Sequence, residues 1–119
     1  MKYQTEELEG NALDEACAIA ERRAYRRRND GKITVSDPGT LGGLADVCIE
    51  GYRPSADWSW GGPIIERERI GLDAYSTVRW NAFHPQRVEG TCGVGPSPLV
   101  AAMRAYVASK LGDEVELPD

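Results

Sequence analysis

Polar and apolar positions along the chain alternate at two periods, and their order sets out the expected elements. Met1 to Thr5 is short and alternating, which predicts an initial strand. Asn11 is placed to cap a helix in which Leu13, Cys17, Ala20 and Ala24 recur at four and three residues, so a helix is expected from about Ala12 to Arg27. Asn29, Asp30 and Gly31 supply turn chemistry. Lys32 to Ser36 is β-branched enough for a brief strand, Asp37 to Gly43 reads as a loop, and Leu44 to Tyr52 alternates weakly around Val47 and Ile49 as a further strand.

Pro63 to Ile70 fits two patterns. As a strand it sets Glu66 and Glu68 against Arg67 and Arg69; as a short helix it opens on Pro63 and closes at Gly71. A loop with a helical turn is the reading adopted. Tyr75 to Phe83 alternates clearly, with Val78, Trp80 and Ala82 on one face and Thr77, Arg79 and Asn81 on the other, and is expected to be one strand. Pro85 to Pro96 reads as a Gly-rich connection. Ser97 then caps, and Pro98 opens, a second helix with Leu99, Met103, Tyr106, Val107 and Lys110 on one stripe, stopped by Gly112. This order predicts an α+β fold: two helices packed on a short, mostly antiparallel sheet, with a Trp/Gly/Pro-rich loop.

Composition narrows the function classes. With 119 residues and 41% hydrophobic content, one domain spanning residues 1–119 is expected, without repeats or a linker. A net charge of −5 makes duplex nucleic acid a poor partner. No window approaches the ~18 apolar residues of a membrane span. The first ten residues hold three glutamates where a leader would be basic and then apolar, so residence in a reducing cytoplasm is expected. Cys17, Cys48 and Cys92 lack paired spacing and read as free, buried thiols. Arg22, Arg23, Arg26, Arg27 and Arg28 put five arginines in seven positions. On a helix they would crowd its last turn, where cations favour the negative dipole end; alternatively, the cluster forms a patch for a phosphate-bearing or acidic partner, a host protein among them through Arg22, Arg23, Arg26 and Arg27.

Candidate chemistry concentrates between Tyr52 and Glu68. Trp58 and Trp60 flank one serine, Gly61, Gly62 and Pro63 break the pattern, and Asp57, Glu66 and Arg67 add fixed charges. Aromatic walls with a few polar groups are the ingredients of a ligand pocket. Trp58, Trp60 and Trp80 can stack on a planar ligand, although Trp80 on an apolar strand face serves equally as core. Gly61 and Gly62 can expose backbone amides or simply form a turn. Arg67 can grip a phosphate or carboxylate while Glu66 or Asp57 reads donors on a base or sugar, or Glu66, Arg67, Glu68 and Arg69 can form ion pairs with one another at the surface. Tyr52 borders the segment, and Arg104, mid-helix, can reach the same site or lie solvated.

Two strings carry a resemblance to a known family. Tyr52, Pro54, Ser55, Asp57, Trp58 and Gly61 to Glu68 form the first. Pro98, Leu99, Ala101 to Arg104, Val107 to Lys110 and Gly112 to Val115 form the second, and Lys2, Thr5, Glu7, Leu8 and Ala12 to Asp14 add the opening. Together they resemble the NinX-like family of phage proteins. The chain departs from that pattern between Arg26 and Gly51, where it is longer and richer in arginine, and nothing is carried over there. The resemblance implies a phage or prophage origin and the cytoplasm of an infected bacterial host, and it supplies no activity.

Catalysis is weakly supported. His84 is the only histidine and has no serine or cysteine partner in a nucleophile arrangement. Asp57 and Glu66 could work as an acid–base pair or could merely hold a ligand. No Walker loop, dinucleotide fingerprint or metal-ligand spacing is present, so no cofactor or metal is expected. The reading is a non-enzymatic binder of a small, nucleotide-like molecule, such as a host defence signal that a phage gains by sequestering, with homo-oligomerisation as a way to deepen a shallow cleft. Its alternatives are an accessory protein that modulates a host or phage protein through a Trp/Arg surface, and a small nucleotide-processing enzyme.

Overall fold

The computed structural model describes residues 1–38, 46–49, 51–86 and 93–118. Among these, three α-helices and three small antiparallel sheets form an α+β fold. The first sheet pairs β1 (Lys2–Gln4) with β8 (Glu114–Glu116), bringing the two ends of the chain together. A 3-10 turn at Thr5–Glu7 follows β1, and the Thr5 hydroxyl donates to the Gly112 carbonyl at 2.6 Å to hold the junction. Nothing local announces β8: three residues with one buried side chain, Val115, carry too short an alternation to read.

Helix α1 (Gly10–Ala20) buries Leu13, Ala16, Cys17 and Ala18. Cys17 is a free thiol, as expected, and burial raises its pKa; Cys92 and the Cys48 side chain lie outside the described residues. The helix ends well short of Arg27, its expected limit. Arg22 turns left-handed (φ 56°), and the amides of Arg22 and Arg23 donate back to Ile19 and Ala18. This double return closes a helix against any further turn. The arginine-rich stretch therefore runs on as β2 (Ala24–Arg27), paired with β3 (Ile33–Pro38), with Tyr25 opposite Val35 and Arg27 opposite Ile33. Strand pairing outweighs the local helix preference of Ala and Arg. β3 also pairs with β4 (Asp46–Ile49). Asp37 and Pro38, expected in a loop, belong to β3. The remainder of that loop, and parts of the Leu44 to Tyr52 strand and of the Pro85 to Pro96 connection, lie outside the described residues.

Helix α2 (Trp58–Glu68) replaces the expected Trp/Gly/Pro loop and adds a third helix to the two foreseen. The strand expected over Tyr75 to Phe83 is the second half of a hairpin, β5 (Gly71–Ser76) and β6 (Arg79–Phe83), turning at Thr77 and Val78. Val78 thus lies at the hairpin tip, 75% exposed, while Ala82 is buried and Trp80 packs partly against the core. β7 (Gly93–Gly95) completes this sheet from within the expected Gly-rich connection.

Helix α3 (Pro98–Leu111) starts as expected, with the Ser97 hydroxyl accepting from the Val100 amide at 3.2 Å and Pro98 in the first turn. Its apolar surface is not a stripe. Leu99, Ala101, Ala102, Met103, Ala105, Tyr106, Val107 and Ala108 are all buried, because α1, α2 and the β5–β6–β7 sheet pack around it. Lys110 stays exposed at the end. Such all-round burial marks a central helix. β7 approaches it so closely that a Cβ on Gly93 would fall 2.2 Å from the Ala101 carbonyl oxygen.

Candidate functional site

The segment leading into α2 is anchored from both sides. The Ser55 amide donates to Asp14 Oδ1 of α1 at 3.0 Å, and the Arg53 carbonyl accepts from the Ala56 and Asp57 amides at 3.0 and 2.7 Å. Burial raises the Asp14 carboxyl above its ordinary value, against the opposing pull of Ser55. Asp57 then caps α2, its Oδ1 accepting from the Ser59 hydroxyl (2.6 Å) and amide (2.9 Å), and these bonds lower its pKa.

Gly61, Gly62 and Pro63 lie inside this helix, where Pro63 forfeits an intrahelical hydrogen bond. Gly62 has no Cβ to crowd the proline ring, which eases the restriction on a pre-proline residue. Gly61 is required by proximity: a Cβ there would sit 2.5 Å from the Pro54 carbonyl oxygen and 2.6 Å from Leu99 Cδ2. The apparent breaker is an adaptation for close packing against α3. Pro63 itself is exposed.

The three tryptophans go to different places. Trp58 is 53% exposed and borders a recess of about 330 Å³ with Ser55, Ala56, Ser97, Pro98 and Leu99. The capped starts of α2 and α3 meet at this recess. Trp60 turns the other way and meets the buried Tyr52 edge to face, with ring centroids 4.9 Å apart. The Arg23 guanidinium lies over both rings, 5.7 Å from Tyr52 and 5.5 Å from Trp60. Trp80 belongs to β6. The two indoles of the Trp-Ser-Trp string thus do not share one wall, because residues two apart on a helix point about 200° from each other.

Arg67 is held in a polar network rather than at the Trp58 recess. It hydrogen-bonds Glu21 through both terminal nitrogens, Glu68 through Nε at 3.0 Å, and the Tyr106 hydroxyl at 3.2 Å. The bond to Glu21 raises its pKa. Tyr106 also donates to Glu21 at 2.7 Å, and burial, followed by that bond, raises its phenol. Glu68 continues the network to His84 Nε2 at 2.9 Å and Lys110 at 3.7 Å. The Gln86 amide donates to His84 Nδ1 at 3.1 Å, while Nε2 faces Glu68 Oε1. Both nitrogens of this buried ring are engaged in hydrogen bonds. Glu66 is exposed on α2. The pairing of Arg67 with the adjacent Glu68 was open to the sequence, whereas Glu21 and Tyr106 were missed as partners because those contacts span 39 to 85 residues and no spacing announces them.

Arg104 is bound elsewhere. Its Nε donates to the Leu8 carbonyl at 2.8 Å and its Nη1 to the Val94 carbonyl at 2.7 Å, and burial lowers its pKa. It fastens α3 to the segment before α1 and to β7. The arginine cluster is likewise dispersed. Arg22 forms the turn after α1, Arg23 covers the aromatic pair, Arg26 is exposed on β2, and Arg27 grips the buried Glu15 at 2.7 and 3.0 Å and also donates to the Pro118 carbonyl. Tyr25 also donates to Glu15, and burial together with that bond pushes its phenol up to about 12. Among the described residues no cluster of His, Cys, Asp and Glu is arranged to hold a metal ion, and no helix is long and apolar enough to cross a membrane.

Residues 4–110 match the family described as bacteriophage P22, NinX. No curated protein matches the chain.

Proposed function

We propose that this chain, which belongs to the bacteriophage P22 NinX family, binds a small molecule with a flat ring, nucleotide-like in character, at the Trp58 recess. The observation that carries this reading is the half-exposed Trp58 indole bordering about 330 Å³ of open space between the starts of α2 and α3. Stacking of a base on such an indole contributes ~1–3 kcal/mol. Ser55 and Ser97 add polar groups at its edge, and Pro98 and Leu99 add apolar contact. The proposed site thus keeps Trp58 from the expected set and adds residues at the start of α3.

In the cytoplasm of an infected host, binding alone would suffice to withdraw a nucleotide-like defence signal, and a second copy of the chain would deepen the recess. Titration with adenine mononucleotides tests the reading. Saturable protection of tryptophan emission from iodide is expected, lost in Trp58→Ala and retained in Trp80→Phe. A host protein captured through Trp58, with no nucleotide protection, would favour an interface in which Trp58 is the anchor. Turnover of the nucleotide would instead make the protein an enzyme.

A further inference from the structure

Beyond the Trp58 recess, we propose a second binding site, for the phosphate group of a small anionic molecule, in the recess of about 340 Å³ lined by Arg28, Lys32, Ile33, Gly51 and Arg53. Among the described residues three cations converge there although the chain as a whole carries a charge of −5, so the sign of the described lining runs against the average surface. Two rigid pieces of backbone present them. At the tip of the β2–β3 hairpin, the Arg28 amide donates to the Lys32 carbonyl and the Gly31 amide to the Arg28 carbonyl, both at 2.9 Å. Asp30 Oδ1 accepts from the Lys32 amide at 3.0 Å and tightens the same turn. Arg53 comes from the segment pinned to α1 through Ser55 and Asp14.

The charge balance among the lining residues favours an anion. Asp30 lies 3.9 Å from Arg28 Nε and offsets one positive charge, and Arg53 stands within electrostatic reach of Asp14 and Asp57, while the described lining itself holds three cations and no carboxylate. Two guanidinium forks and an ammonium donate from several directions, which suits the tetrahedral oxygens of a phosphate better than the plane of a single carboxylate. At Gly51, whose φ is +78°, a Cβ would meet nothing within 4 Å among the described residues. The buried Ile33 forms an apolar floor against which a sugar or similar group can rest.

The test is calorimetric titration of the intact chain with pyrophosphate at low ionic strength, with citrate as a polycarboxylate comparison. Pyrophosphate is expected to bind saturably and more tightly than citrate. Lys32→Gln and Arg53→Gln should each weaken it by about tenfold, as loss of one charge-assisted contact implies. Both side chains are exposed, and unchanged circular dichroism verifies that each variant folds. Trp58→Ala should leave pyrophosphate binding intact, which separates this site from the Trp58 recess. Absence of saturation, equal affinity for citrate, or undiminished binding in both glutamine variants would overturn the proposal.

Discussion

Arg67 and Glu21 meet in two parallel hydrogen bonds, Nη1 to Oε1 at 3.1 Å and Nη2 to Oε2 at 2.8 Å, and so tie α2 to the end of α1. The Glu21 side chain is only 13% exposed whereas Arg67 is 50% exposed, so removing the arginine strands a carboxylate that has little water to fall back on. Arg67→Ala should cost about 1–2 kcal/mol, discounted for the exposure of the guanidinium. Tyr106→Phe should cost about 0.5–1.5 kcal/mol. Urea denaturation checks both, and the double variant should lose less than the sum because the groups share Glu21.

The two neighbouring glycines of α2 should respond unequally. Gly61→Ala forces a Cβ against backbone at Pro54 and is expected to destabilise by about 1–3 kcal/mol. Gly62→Ala meets only Trp58, at 4.0 Å, apart from its chain neighbours, and its gain in helix propensity of up to about 1 kcal/mol is offset by the Cβ set beside the Pro63 ring, so it should cost clearly less than Gly61→Ala. Equal effects in thermal melts would show that the packing of α2 on α3 is not as close as described.

Two carboxyls should give stability profiles of opposite sign with pH. At Glu68, burial works to raise the pKa, but the bonds from His84 and Arg67 and the nearby Lys110 outweigh it and the group is held low. Its folded pKa lies below the unfolded value of about 4.3, so its contribution is present above that pH and is lost as pH falls through the folded pKa. Glu68→Gln should therefore be less stable at neutral pH, with the difference closing in acid. Asp14 is raised by burial, so ionisation penalises the folded state once pH exceeds the unfolded value of about 3.9. Asp14→Asn, which can still accept from Ser55, should be at least as stable as the parent at neutral pH, with the difference shrinking in acid. Urea midpoints measured across pH decide both.

Unequal exposure of the tryptophans predicts how their fluorescence is quenched. Trp58 is half exposed, while Trp60 and Trp80 pack partly against the core. Iodide should quench mainly Trp58, so Trp58→Phe should remove most of the accessible fraction while shifting stability by no more than about 0.5 kcal/mol. An accessible fraction unchanged in that variant would place the exposed indole elsewhere.

Arg104 should prove structural. Arg104→Met keeps the apolar stem but strands the Leu8 and Val94 carbonyls, with an expected loss of about 1–3 kcal/mol and no change in ligand protection of Trp58. Nucleotide titration beside a thermal melt separates the two readouts.

By itself the sequence determined the local features whose causes are local: the α+β class, β1 and β3, the Ser97–Pro98 start of α3, the inward alternation of Trp80 and Ala82, and the NinX-like strings that the family match bears out. Capping and period-two alternation act within a few residues and leave direct marks in composition. Only the tertiary structure decided that Arg26 and Arg27 belong to a strand beginning at Ala24, that Gly61 to Pro63 continue a helix, that α3 is buried on all sides, and that Trp58 and Trp60 part company. The strand and the helix are fixed by partners outside the local window, Glu15 for Arg27 and Leu99 for Gly61, and the parting of the two indoles follows once α2 is helical. A pairing or a close approach across such separations selects among conformations that local preference leaves nearly equal in free energy.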